Sequence, residues 1–256
     1  MSVRLERRDV VAWIRVDKAQ TRNAMSAQMW REFTACVAEV ARDAALRALV
    51  VCGRPEAFVS GADITDFQTF LAAPYGLAYE HVVETALASL EGLDIVTIAA
   101  VAGACTGGGA ILAAACDIRI GAVNARVGVP IAKNVGNLTT AANLARLVDI
   151  VGTARVVRWV MTAELAPADD ALAYGFFSEL AADAAAAELR AGELAARIAT
   201  FAPLTLSGAK ELVRRLRVDG RAASDSDLLA RAYGSRDFHE GVDAFVGKRL
   251  ARFEGR

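Results

Sequence analysis

Short apolar runs separated by segments of helical periodicity dominate the first half of the chain. Three runs, at 10–16, 47–53 and 95–101, are rich in valine, isoleucine and alanine and have the length of β-strands. The run at 47–53 leads directly into a Gly-Arg-Pro sequence, which is typical of a buried parallel strand that enters a loop. The pattern therefore predicts three core strands in this half of the chain.

Helical segments lie between these strands. Ser26 is placed to cap a helix over 27–43, and a second helix is expected over 78–90. After the strand at 95–101, a glycine-rich stretch over 103–109 leads into a short helix, and another strand follows at 118–122. This alternation predicts an α/β core with right-handed crossover connections.

From about residue 183 the composition changes to alanine, glutamate, arginine and leucine with helical periodicity. Pro203 is placed to open one helix, and a final helix is expected over 240–252. We therefore predict a core over 1–182 and a helical C-terminal region over 183–256, without an independent second domain.

Composition and charge exclude several classes of protein. Of 256 residues, 29 are basic and 30 acidic, so no long-range field attracts nucleic acid or anionic lipid. The four cysteines form no CxxC pair and the two histidines stand far apart, which gives a metal site little support. Neither a signal peptide nor a membrane span is predicted, so we expect a cytoplasmic protein.

A first glycine turn is expected over 58–64, directly after the second strand. Gly61 permits a backbone bend that a residue with a Cβ would resist, which leaves the following N–H groups open. The alternative is an ordinary tight turn in which Asp63 caps a helix.

A second glycine turn places Gly107, Gly108 and Gly109 between a strand and a helix. Free N–H groups there favour negative charge, and each glycine costs about 1 kcal/mol of helix propensity relative to alanine. The spacing does not fit the G-x-G-x-x-G of a dinucleotide site. Ser60 lacks the G-x-S-x-G context of a serine hydrolase.

These two turns, together with three further segments in the same order, resemble the crotonase superfamily of enoyl-CoA hydratases and isomerases. The matching segments are distributed across most of the chain: 22–25, 58–64, 103–117, 171–177 and 240–249. The resemblance implies a crotonase-like spiral of ββα units with a C-terminal helical region. It also implies a homotrimer or a hexamer.

The resemblance implies a CoA thioester as substrate and no permanently bound cofactor. The thioester carbonyl would accept hydrogen bonds from the backbone N–H groups of Ala62 and Gly108. Residues of the first turn and of the C-terminal region, the latter from this chain or a neighbouring subunit, would contact CoA: Ala62, Asp63, Ile64, Thr65, Phe245 and Lys248. The alternative for Lys248 is a solvated lysine on a terminal helix.

The chain departs from the family at both positions where hydratases carry a catalytic glutamate, which are Ile111 and Ile131 here. Isoleucine can neither orient a water molecule nor move its proton. Glu84 and His81, on the helix before the strand at 95–101, are candidate replacements, although each has the alternative of a solvated helix residue.

Three functions are compatible with the sequence. The first is an acyl-CoA enzyme of the hydratase/isomerase type with an unusual acid or base. The second is a CoA-ester-binding protein without catalysis. The third, an RNA-binding relative, is disfavoured by the balanced charge and the lack of a basic patch interleaved with aromatic residues.

Overall fold

Two sheets organise the protein, whose computed structural model describes residues 2–256. The strands are β1 (Val3–Arg8), β2 (Val11–Val16), β3 (Ala48–Cys52), β4 (Ala57–Val59), β5 (Val96–Val101), β6 (Ala104–Thr106), β7 (Ile118–Ala122), β8 (Arg126–Gly128), β9 (Ala166–Pro167) and β10 (Glu179–Ala181). The first sheet has the order β1-β2-β3-β5-β7-β10, and the second has the order β4-β6-β8-β9. The α/β class predicted from the sequence is confirmed.

Helices cover both faces of the first sheet and extend the C-terminal part of the chain. They are α1 (Ala27–Arg42), α2 (Ile64–Phe67), α3 (Ala73–Glu91), α4 (Gly108–Ala114), α5 (Ile131–Asn134), α6 (Ala141–Val151), α7 (Thr153–Thr162), α8 (Ala168–Ala173), α9 (Ala184–Ile198), α10 (Pro203–Asp219), α11 (Ser226–Tyr233) and α12 (Arg236–Val246). The last four form the predicted helical region.

The first sheet is parallel except for the β1–β2 hairpin, and its central strands are buried on both faces. In β3, Leu49 and Val51 point to the cluster that contains α1 and α3, while Ala48 and Val50 point to the cluster that contains α9. Burial on two faces explains why the run at 47–53 is apolar throughout and does not alternate.

The second sheet brings the two glycine turns together. Strand β4 pairs in parallel with β6, and β6 pairs in parallel with β8. Because β4 ends at Val59 and β6 ends at Thr106, the segments that follow them leave the same edge of the sheet. The fold thus places the turn at 60–63 beside the turn at 107–109.

Helix boundaries depart from the predictions where a cap or a fold-back decides them. The Ser26 side chain caps α1 as predicted, accepting a hydrogen bond of 3.2 Å from the Met29 N–H. The final helix was expected over 240–252, and this is wrong: α12 starts at Arg236 and ends at Val246. The tail beyond it folds back because the Asp237 carboxylate accepts the N–H groups of Glu254 and Gly255.

Candidate active site

A cavity of about 200 Å³ lies between the two glycine turns, α1, α3 and the segment that follows β8. Ala62 and Ile64 line it from the first turn, and Gly107 and Gly108 line it from the second. Residues that the sequence separates by more than forty positions therefore line one cavity.

The first turn is fixed by main-chain bonds on either side of Ala62. The Met25 N–H donates to the Gly61 carbonyl at 2.8 Å, and the Asp63 N–H donates to the Met25 carbonyl at 2.9 Å. Gly61 has a φ of 120°, a conformation that L side chains rarely adopt. Within residues 2–256 the Ala62 N–H has no acceptor, so it is available to a ligand in the cavity.

The second turn is tied to the first and to β8. The Thr106 hydroxyl donates to the Ser60 carbonyl at 2.8 Å, and the Gly107 N–H donates to the Gly128 carbonyl at 2.9 Å. A Cβ built on Gly107 would lie 3.8 Å from the Gly61 Cα, so the two turns pass close to each other. The Gly108 N–H, like that of Ala62, has no acceptor in the described part of the chain.

Ile111 and Ile131 line the cavity from α4 and α5. Ile111 is 4% exposed, and Ile131, which opens α5, is half-buried. Val83 and Val129 line the cavity with them, and Asn134 of α5 adds an amide. Neither isoleucine offers a proton donor or acceptor, so the lining is apolar at these two positions.

Helix α3 supplies an acidic group that the sequence analysis missed. Tyr79, Glu80 and Val83 line the cavity from this helix. Burial raises the pKa of the Glu80 carboxyl, and the nearby charge of Glu84 adds to this effect. Its position was detectable as an acidic residue three positions before Val83, in an otherwise apolar helical stripe that continues to Leu87.

Glu84 and His81, the two candidates predicted on this helix, do not line the cavity. The Arg146 guanidinium holds the Glu84 carboxylate in a bidentate pair, with hydrogen bonds of 2.7 and 2.8 Å, and it also holds Glu91 at 2.8 Å. Glu84 is thereby committed to a structural ion pair between α3 and α6. The His81 side chain is exposed.

The residues predicted to contact CoA are divided by the structure. Ala62 and Ile64 line the cavity, whereas Asp63 accepts a hydrogen bond of 2.6 Å from Lys18 and caps α2 through the Thr65 N–H at 3.1 Å. The Lys18 ammonium lowers the pKa of the Asp63 carboxyl. Asp63 thus also fulfils the alternative of a helix cap.

Phe245 and Lys248 lie at the end of α12 and do not line the cavity of their own chain. Phe245 is 87% exposed and borders an apolar groove formed by α10, α11 and α12. Their contact with CoA therefore stays a prediction, and in this structure they are not placed to make it with a ligand in the cavity of the same chain.

Metal-ligand clusters and membrane-spanning helices are both absent from residues 2–256. No cluster of three or more histidine, cysteine, aspartate or glutamate side chains is arranged to hold a metal ion. None of the helices in this range combines the length and the apolar character needed to cross a membrane.

Comparison with known proteins agrees with this geometry. A sequence model of the enoyl-CoA hydratase/isomerase family matches residues 6–256. A probable enoyl-CoA hydratase of Bacillus subtilis is 32% identical over 91% of each chain, and a short-chain-enoyl-CoA hydratase of Clostridium acetobutylicum is 28% identical over 97% of this chain and 95% of that protein. The chain belongs to the enoyl-CoA hydratase/isomerase family.

Solved structures show the same fold. An enoyl-CoA hydratase/carnithine racemase from Magnetospirillum magneticum superposes with a TM-score of 0.93 at 29% identity, covering 100% of this chain and 96% of that one. An enoyl-CoA hydratase/isomerase family protein from Hyphomonas neptunium gives the same TM-score and identity, with coverage of 100% and 98%. The predicted crotonase-like fold is confirmed.

Proposed function

We propose that this protein is an enzyme that binds an acyl-CoA thioester in the cavity and stabilises its enolate. The observation that carries the proposal is that Ala62 and Gly108, whose N–H groups have no acceptor in the described chain, line one cavity from two adjacent turns. The names of the relatives point to the same class of substrate.

The two N–H groups form an oxyanion hole in this proposal. When a proton leaves the α-carbon of a thioester, negative charge develops on the carbonyl oxygen, and fixed donors stabilise this charge without reorganising. Loss of one comparable donor costs about 3–4 kcal/mol of transition-state stabilisation in other enzymes. The pair would therefore be the main source of catalysis.

The wall formed by Ile111 and Ile131 limits which reactions of the enolate the cavity can support. Hydration needs groups that orient water and move its proton, and general acid–base assistance is worth about 10²–10⁴-fold in rate. With isoleucine at both positions, we propose that hydration is slow, while proton removal beside the thioester is retained. The same apolar wall supports a second candidate, a CoA-ester-binding protein without turnover.

We further propose that the protein assembles as a homotrimer or hexamer through its C-terminal helices. Phe245, Val246 and Leu250 lie close together in sequence and are between 76% and 91% exposed, as apolar side chains of a subunit contact would be in an isolated chain. Phe245 and Lys248 would then contact CoA bound to a neighbouring subunit. Light scattering at micromolar protein checks this, and a monomeric mass would contradict it.

Calorimetry with butanoyl-CoA, free butanoate and NAD tests the proposed substrate class. We expect micromolar binding of the CoA ester, much weaker binding of the acid and none of NAD, because the free N–H groups and the cavity suit a thioester. Absence of heat with butanoyl-CoA up to millimolar concentration would remove the proposal. A cytoplasmic location fits the four free thiols and remains to be tested by fractionation.

A further inference from the structure

Glu80 is the one residue with a carboxyl group among those that line the cavity within residues 2–256. The other polar side chains of the lining are neutral, and they include Tyr79, Asn134 and Asn137. Burial also raises the pKa of the Tyr79 hydroxyl, which keeps it protonated and unable to act as a base at neutral pH. Glu80 is therefore the side chain of the lining whose chemistry suits it to accept a proton at neutral pH.

The charge environment of Glu80 differs from that of the other two glutamates on α3. Glu84 and Glu91 are neutralised by Arg146, whose side chain is 8% exposed. Glu80 belongs to no ion pair in the described chain, and of the charged groups around it Glu84 acts on it as a second negative charge. From α1 and α5, the facing cavity residues Trp30 and Asn134 bring no charge.

A partly buried carboxylate without a cation suits proton transfer from carbon. Such a group has a pKa above the ordinary glutamate range, which makes it a stronger base than an exposed or paired glutamate. A structural role, in contrast, would place it in an ion pair or a cap, as the structure does for Glu84 and Asp63.

We infer that Glu80 is the catalytic base and acid that moves a proton between carbon atoms of the acyl group. The inference rests on the function proposed above. A carboxylate oxygen of Glu80 takes a proton from the α-carbon, the electrons of the broken C–H bond form a double bond between the α-carbon and the carbonyl carbon, and the π electrons of the carbonyl move to its oxygen. That oxygen is held by the N–H groups of Ala62 and Gly108.

The second half-step returns the same proton. With a β,γ-unsaturated thioester, the dienolate takes the proton from Glu80 at the γ-carbon, and the double bond moves into conjugation with the carbonyl. The substrate and product are isomers, so no oxidant, reductant or water is consumed. One carboxyl group is sufficient for this 1,3-proton transfer, whereas hydration must also position and activate water. The step assigned to Glu80 is thus the proton transfer in the allylic isomerisation of an acyl-CoA.

Three assays with purified full-length protein test this inference. They are calorimetric binding of butanoyl-CoA, deuterium incorporation into butanoyl-CoA in D₂O, and conversion of 3-butenoyl-CoA to its conjugated isomer followed by ultraviolet absorbance. The variants are Glu80→Gln, Glu80→Asp and the control Glu164→Gln, which changes an exposed carboxylate paired with Arg158 outside the cavity.

Glu80→Gln should bind butanoyl-CoA as the wild type does and lose about 10²–10⁴-fold in both rates. Glu80→Asp should recover part of the rate, and Glu164→Gln should match the wild type. In a pH profile, the rate should rise through a deprotonation above the ordinary glutamate pKa. Glu84→Gln should move that inflection to lower pH, since it removes the adjacent negative charge.

The outcomes separate this inference from the function on which it rests. Wild-type protein that binds no CoA ester overturns the proposed function. Wild-type protein that binds butanoyl-CoA but neither exchanges nor isomerises its substrates overturns both the proposed enolate chemistry and the assignment of Glu80, and leaves the candidate that binds CoA esters without turnover. The assignment of Glu80 alone is overturned if Glu80→Gln binds the ester and keeps the wild-type rates.

Discussion

Replacing Gly109 with alanine tests how closely α4 must approach β4 to hold the second glycine turn. A Cβ at this position would lie 2.0 Å from the carbonyl oxygen of Val59 and 2.8 Å from its carbonyl carbon. Both are main-chain atoms, so no side-chain rotation relieves the clash. Helix and strand must separate, and the Gly108 N–H moves with the helix.

The stability that Gly109→Ala loses depends on how little the contact between α4 and β4 can relax. Inserting a methyl group into a packed core costs about 1–3 kcal/mol and occasionally more. Because β4 is fully buried and the clash involves backbone, we expect about 3 kcal/mol for Gly109→Ala. In a chain of this size such a loss lowers Tm by about 6–12 °C.

Gly208→Ala is the matched control. Gly208 lies inside α10, and a Cβ there would meet nothing within 4 Å. The same chemical change should therefore gain about 1 kcal/mol of helix propensity and raise Tm by about 2–4 °C. Differential scanning calorimetry measures both variants.

Binding provides the second measurement. Gly109→Ala should bind butanoyl-CoA at least tenfold more weakly than wild type at a temperature where both are folded, whereas Gly208→Ala should bind normally. If Gly109→Ala melted at the wild-type temperature and bound with wild-type affinity, the approach of α4 to β4 would not position the turn, and our account of the site would be refuted.

Three other predictions concern charge and the cavity wall. Because the pKa of the Asp63 carboxyl is lowered, its pair with Lys18 stabilises the folded protein at neutral pH, and this stability is lost as the pH falls below 3.8. Lys18→Gln should therefore lose more stability in urea unfolding at pH 7 than at pH 3. Arg146→Met should cost about 2–3 kcal/mol in the same assay, below the 3–5 of a fully buried pair because the partner carboxylates are partly exposed. Wild-type protein should hydrate crotonyl-CoA slowly, and the double variant Ile111→Glu plus Ile131→Glu should hydrate it faster, provided that the wild type and the double variant both bind the ester. Wild-type turnover of about 10 per second or more, the scale of an ordinary enzyme, would contradict our interpretation of the wall formed by the two isoleucines.

The sequence predicts the long core strands and the two glycine turns because each leaves a local signal. Each of these signals determines the structure only of residues near it in sequence, as in the apolar run at 47–53, the cap at Ser26 and the three glycines at 107–109. Strands β4, β6 and β8 have three residues each, too few for a periodic pattern, so the second sheet was not predicted. Its existence depends on pairing between distant segments.

The glutamates of α3 show why sequence patterns did not point to Glu80. Glu84 is neutralised by Arg146, which lies 62 positions away in sequence, and no local pattern reveals such a partner. Glu80 faces a cavity whose opposite walls come from α4 and α5. Helical periodicity assigns a residue to a face, but it does not say whether that face meets packed side chains or open space.

The closeness of the two glycine turns also has a consequence for mutational robustness. The donors proposed there are main-chain N–H groups, which every residue except proline carries. Side chains of the surrounding wall, such as Ile111 and Ile131, can therefore be exchanged over generations without removing the donors. In a scaffold of this kind the main chain would bind the ligand and the side chains of the cavity would determine the reaction. Related proteins could then differ in the reaction while they bind the same kind of ligand.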